Sequence, residues 1–226
     1  MKRRVFFSGW RKWFGLGAGL LLLPSLALNI FLFQKTTTER KAEVRVISVL
    51  DGDTFVIEGN QRIKLKMIDS PEINFCLGQE AKEELVSLVM GKEVILEEPI
   101  VDNFGRIMAL VYVDRKLVNQ KILEAGLGRF EGQSSQASEI LKTAYNGARQ
   151  AKKGIFSPLC YQEKNLENPD CLIKGNIDKA EGDKFYHLPG CPQYSQVIVE
   201  KDLGEDWFCS EKEAKDSGFK KASTCP

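Results

Sequence analysis

Three short stretches of this chain hold side chains able to do chemistry together. Asp51-Gly52-Asp53-Thr54 carries two carboxylates, Asp69-Ser70-Pro71-Glu72 carries two more, and Asp102-Asn103-Phe104-Gly105-Arg106 ends in an arginine just past a tight turn. Arg62 and Lys64 lie between the first two. Carboxylate oxygens suit a hard divalent cation, and a spare carboxylate suits a general base. Cations suit the negative charge that builds on a phosphorus under attack. The combination describes a site for hydrolysing phosphodiesters. Taken singly, each stretch has a plainer reading. Asp-Gly between strands is a common turn, Ser-Pro-Glu starts many helices, and Arg106 could be an ordinary surface cation. The chain has one histidine, His187, which argues against a His pair or a Ser-His-Asp triad beside the acidic clusters.

These residues need a scaffold, and hydrophobic alternation supplies one. Residues 44–50 alternate as a strand and run into Asp51-Gly52. Residues 54–58 form a second strand, Gly59-Asn60 a turn, and 61–68 a third strand with Ile63, Leu65 and Met67 on one face. A helix over 79–90 buries Ala81, Leu85, Leu88 and Val89. Residues 94–96 and 107–113 read as strands around the 102–105 turn, and helices follow at 117–125 and 137–151, each ended by a glycine. Five short strands with a helix between the third and fourth predict an α+β fold, a closed barrel of the oligonucleotide/oligosaccharide-binding type with three helices. Asp51 and Asp53 share strand parity, and so do Arg62 and Lys64. Lys64 and Asp69 have opposite parity, so they can meet only if the strand bends between them.

Residues 44–160 resemble a staphylococcal nuclease (thermonuclease) domain. That family's pattern is D-G-D-T, then R-x-x-x-x-D-[TA]-P-E, then D-x-[YF]-G-R, then V-N before a helix. This chain reads Asp51-Gly52-Asp53-Thr54, Lys64 to Asp69-Ser70-Pro71-Glu72, Asp102 to Arg106, and Val118-Asn119. The resemblance implies calcium ligation by Asp53, Asp69 and the backbone carbonyl of Ser70, with Asp51 behind them. It implies Glu72 as general base, Arg106 as stabiliser of the charge on phosphorus, and Phe104 beside the bound nucleotide. The implied activity is calcium-dependent hydrolysis of DNA and RNA to 3′-phosphate products, with little sequence preference. One position departs from the pattern: Lys64 replaces the family's arginine, keeping the charge but losing the planar fork that grips two phosphate oxygens. Arg62 either supplements it at the substrate or is a solvated charge. The alternative from another class is therefore a weak or inactive module that binds nucleic acid or a surface partner.

The remaining segments bear on location. Lysine plus arginine (32) nearly balance aspartate plus glutamate (31), so bulk charge selects no partner and nucleic-acid binding needs a local patch. Residues 14–33 are uncharged, and about 20 residues at a helical rise span roughly the 30 Å of a hydrocarbon core. Five preceding cations place the N-terminus in the cytoplasm and the rest outside. An uncleaved anchor is preferred to a cleaved signal peptide, which would leave a secreted protein. The expected organisation is 1–34 basic segment and transmembrane anchor, 35–43 linker, 44–160 nuclease-like barrel, 161–170 linker and 171–226 Cys-rich module, acting as a monomer. The module resembles one appended to bacterial envelope nucleases. Its cysteines suit disulfides outside the membrane. His187 with Cys191, Cys209 and Cys225 would alternatively allow zinc. Six cysteines allow 15 pairings, so connectivity is open.

Overall fold

The structure, a computed structural model, describes residues 43–132 and 134–225. The expected transmembrane span at 14–33 lies outside the described residues, among which no helix is long and apolar enough to cross a membrane. The first half contains strands β1 (Glu43–Val49), β2 (Thr54–Ile57), β3 (Gln61–Leu65) and β4 (Ile68–Asp69), helix α1 (Gly78–Val89), β5 (Glu93–Val101), β6 (Ile107–Val113) and β7 (Lys116–Leu117). Helix α2 (Val118–Ala125), β8 (Arg129–Phe130) and helix α3 (Ser138–Gln150) follow. The rest contains β9 (Tyr161–Gln162), β10 (Ile173–Ile177), β11 (Lys184–His187), β12 (Val199–Glu200), β13 (Trp207–Phe208), helix α4 (Glu211–Asp216) and β14 (Lys220–Lys221).

Strands β1, β2, β3, β5 and β6 close into a five-stranded barrel, because β3 runs parallel to β6 and joins the two ends of an otherwise antiparallel sheet. Alternation fills its interior: Val46, Phe55, Ile63, Leu65 and Leu110 are buried, and Leu85, Ile122 and Leu141 cap them from the three helices. The predicted α+β barrel with three helices is the observed fold.

One predicted element is broken. The third strand, expected to run through 61–68, stops at Leu65; Lys66 and Met67 turn, and β4 restarts at Ile68. Met67 takes a left-handed φ of 66°, uncommon for a residue with a bulky side chain. Alternation of apolar residues cannot reveal such a turn, because Met67 is buried either way. The fully buried Asn119 fixes it. The Asn119 amide donates to the carbonyls of Lys66 (2.8 Å) and Ala109 (3.3 Å), and its oxygen accepts from the Val111 amide (2.9 Å). Asn119→Ala should therefore cost about 2 kcal/mol in denaturant unfolding, since it strands buried backbone groups. Unchanged stability would mean that the turn holds itself.

The C-terminal part forms a separate sheet in the order β13-β10-β11-β14. Ile173, Tyr186, Phe208, Ala214 and Phe219 make its small core. Disulfides Cys171–Cys209 and Cys191–Cys225 staple it, and Cys76–Cys160 closes a loop within the barrel part. All six cysteines are thus paired, which removes the thiolates a zinc site would need. His187 is buried with Nε2 against Asn176 Oδ1 at 2.9 Å, a structural role. The aromatics also serve packing: Trp207 is buried and donates Nε1–H to Gln162 at 2.8 Å. Tyr186 is buried and donates to Glu211, and burial followed by that carboxylate pushes its hydroxyl up to about 12.

Candidate active site

The turn between β1 and β2 presents the first carboxylates. A Cβ added at Gly52 would lie 2.6 Å from Ala81 Cβ and 2.7 Å from Ser70 Cβ, so the turn is pressed between α1 and the Ser70 segment. Here glycine is required by close approach, not by turn geometry. Asp51 Oδ1 accepts the Asp53 amide at 3.0 Å, and burial, then the neighbouring Asp53 charge, pushes the Asp51 carboxyl up. Asp53 is 4% exposed. Its Oδ1 takes the Thr54 hydroxyl at 2.7 Å, while Oδ2 takes the Ser70 amide at 3.0 Å and the Lys64 ammonium at 2.5 Å.

Lys64 also reaches Asp69 Oδ1, at 3.4 Å. Its ammonium therefore joins the two acidic motifs, and the Lys66-Met67 turn is what lets residues of opposite strand parity converge. Burial alone would pull the lysine down, but Asp53 and then Asp69 outweigh it and hold the group charged. The pair it makes with Asp53 is nearly dry, the setting in which losing one partner is most costly.

Register places the arginines. Lys64 lies opposite Met108 in the parallel pair, and Arg106 precedes Met108 by two residues. Arg106 thus leaves the barrel on the same face as Lys64, about 7 Å further along. Arg62 shares that face on β3 and is exposed. Asp102 builds the turn before Arg106. Its Oδ1 accepts the amides of Phe104 and Arg106, both at 2.9 Å, and its Oδ2 accepts Arg106 Nε at 2.7 Å. The guanidinium carbon sits 5.3 Å from the Phe104 ring centre, and Phe104 is 83% exposed. A bare aromatic beside an arginine is a surface on which a nucleobase can stack. Glu72 is exposed, and no described residue hydrogen-bonds its carboxylate; its carbonyl accepts the Phe75 amide at 2.8 Å.

Asp53, Lys64, Asp69 and Ser70 are therefore in direct contact, with Asp51 one step behind. Arg62 and Arg106 line the adjoining face, Phe104 the exposed turn, and Glu72 the solvent side two residues past Ser70. Strand β8 and the residue after it add Arg129 and Glu131, which sequence reasoning missed. The strand pairs with β4, setting Arg129 opposite Asp69, and Glu131 donates its amide to the Met67 carbonyl at 3.1 Å. Burial, then Asp69 and Asp53, push the Glu131 carboxyl up against the opposing pull of Lys64, which places its charge at this cluster. A two-residue strand is too short to show alternation, so no signal marked either residue.

The calcium implied by the resemblance can be tested against these donors. Asp53 and Asp69 already converge on one cation, the Lys64 ammonium, with hard oxygen donors that suit calcium. Among the described residues no three His, Cys, Asp or Glu side chains form a metal cluster. The donors thus fit an ion held by two carboxylates and completed by backbone carbonyl and water, provided that Lys64 gives way.

Comparison with known proteins points to one family. The family model for staphylococcal nuclease homologues matches residues 62–158. An uncharacterized endonuclease of Escherichia coli is 34% identical over 136 residues, covering 58% of this chain and 88% of that protein. An uncharacterized endonuclease of Haemophilus influenzae is 34% identical over 47% of this chain, which spans 62% of that protein's length. A micrococcal nuclease of Shigella flexneri is 31% identical over 42% of this chain and 56% of its own.

Proposed function

Because this chain belongs to the staphylococcal nuclease family, we propose that it hydrolyses phosphodiester bonds in DNA and RNA with little sequence preference and depends on calcium. The observation that carries the reading is the single ammonium of Lys64 bonded to both Asp53 and Asp69, beside a face that bears Arg106. In this mechanism Glu72 takes a proton from water as its oxygen bonds to phosphorus. Arg106 balances the growing charge on the phosphoryl oxygens, and Phe104 stacks on the nucleotide. The bond to the 5′ oxygen breaks, that oxygen takes a proton from solvent, and a 3′-phosphate remains. A bound calcium ion would supply positive charge to the phosphate, held by Asp53, Asp69 and the Ser70 carbonyl. Arg62 meets a neighbouring phosphate of the strand.

The same lysine favours a second reading, a nuclease-fold module that binds nucleic acid or a surface partner and cleaves weakly or not at all, since an ammonium stands between the two carboxylates. Incubating the oxidised full-length chain with plasmid DNA and with RNA, first with calcium and then with a chelator, separates them. Cleavage that stops on chelation supports the nuclease; retained binding without cleavage supports the module. We place the catalytic domain outside the cytoplasmic membrane, as a monomer anchored by residues 14–33. Support comes from the pairing of all six cysteines, which oxidising compartments permit. A reporter fused after residue 226 that is active only in the cytoplasm would overturn that location.

A further inference from the structure

We infer that residues 200–204 clamp the catalytic strand and loop from outside, with Arg129, Asp202 and Gly204 as positioning residues for Asp69 and Glu72. The inference rests on the nuclease reading above, and its observations are independent of it. Strand β4 is only two residues long. Among the described residues, the segment from Ser70 to α1 has few backbone hydrogen bonds, such as those from Phe75 to Glu72 and from Gly78 to Phe75. A segment so sparsely bonded takes its rigidity from tertiary contacts, and 200–204 supply them in two directions.

Toward the strand, the contact is Arg129, directly opposite Asp69 in the β4–β8 pair. Its Nε donates to Asp202 Oδ2 at 2.8 Å, and its Nη2 to Asp202 Oδ1 at 3.0 Å and Glu200 Oε1 at 3.1 Å. Asp202 is buried, and two parallel bonds to a planar fork fix orientation as well as distance. Toward the loop, Cys76 donates its amide to the Lys201 carbonyl at 3.3 Å, and Lys201 donates its own to Cys160 at 2.8 Å. The Cys76–Cys160 disulfide closes that triangle. Gly204 has a φ of 82°, and a Cβ there would lie 2.5 to 3.0 Å from three atoms of the Phe75 ring. The ring of Phe75 therefore seats on a bare Cα, and Phe75 is the residue whose amide holds the Glu72 carbonyl.

A contact between barrel and module that served cohesion alone has no reason to converge on the two elements that carry Asp69 and Glu72. Directed hydrogen bonds between a half-buried arginine and a buried carboxylate suit orientation more than stability, because desolvation offsets much of their attraction. Displacement of a catalytic group by about 1 Å costs on the order of a hundredfold in rate.

The test uses the oxidised full-length chain with Asp202→Asn and, independently, Gly204→Ala. Each should lower kcat on a DNA oligonucleotide about tenfold or more with KM within about threefold, as expected for lost alignment and not lost binding. In a Glu72→Gln background, with residual cleavage read at high enzyme concentration, Gly204→Ala should cause no further loss, because it acts through the loop that Glu72 occupies. Amide hydrogen exchange should quicken at 69–76 and stay unchanged at 173–187. Lys212→Met, in an exposed pair on α4, should change none of these. A Gly204→Ala loss that multiplies with that of Glu72→Gln, or unaltered exchange at 69–76 in both variants, would overturn the clamp. If the wild-type chain cleaves nothing, the nuclease reading fails while the exchange experiment still decides the clamp.

Discussion

Glu72→Ala should lower kcat by about 10²- to 10⁴-fold, the range expected for a positioned general base, while leaving the unfolding midpoint where it was. The second half of that expectation comes from geometry. Glu72 is exposed and no described residue bonds its carboxylate, so truncation removes no contact that holds the fold. A surface position of that kind moves stability by no more than about 0.5 kcal/mol. Arg106→Ala should cost about 10²- to 10³-fold, as for an aligned donor to developing charge. It also removes the bond to Asp102 and the Phe104 contact, so a modest loss of stability accompanies it. Arg106→Lys distinguishes fork from charge, since lysine keeps the charge and loses the paired donors. Cleavage assays at matched folded fraction decide the matter, and activity surviving both alanine substitutions would mean that the reaction is carried elsewhere.

The sequence announced the acidic motifs because turn glycines, prolines and carboxylates stand at fixed offsets, and it announced the barrel because Ile63 and Leu65 alternate with Arg62 and Lys64. It was silent where the chain leaves a period. Met67 takes a left-handed conformation that alternation cannot encode, and that one residue decides whether Lys64 and Asp69 meet. Gly52 read as a turn residue, yet its position is dictated by Ala81 and Ser70, neighbours distant in sequence. Arg129 sits on a strand too short for any pattern, and Glu131 lies just past its end. The pair Arg129–Asp202 and the disulfide Cys76–Cys160 join residues more than seventy positions apart. The ion pair follows from how barrel and module pack and the disulfide from how the barrel part folds back on itself, neither of which is a property of any local run of residues.

Lys64 gives the other large effect. In the absence of a divalent cation its ammonium is the counter-charge of Asp53, and Asp53 is almost fully buried. Lys64→Met keeps a similar volume and removes the charge. It should destabilise the chain by about 3 kcal/mol in chelator, at the lower end of the range for breaking a buried pair. The lower end applies because Asp53 retains the Thr54 hydroxyl and the Ser70 amide. The same substitution frees the point on which Asp53 and Asp69 converge. Calcium should then stabilise the variant, by about 2.7 kcal/mol at a hundred times its Kd, and should stabilise the wild type less, because there it must first displace the ammonium. Lys64→Arg tests the other half of the residue's role. A restored fork should raise kcat if lysine limits phosphate binding, and an unchanged rate would refute that limit. Thermal melts of the three proteins with calcium and with chelator read the stability terms directly. A Lys64→Met chain as stable as wild type in chelator would show that Asp53 needs no counter-ion, and one indifferent to calcium would show that the two carboxylates do not hold the metal.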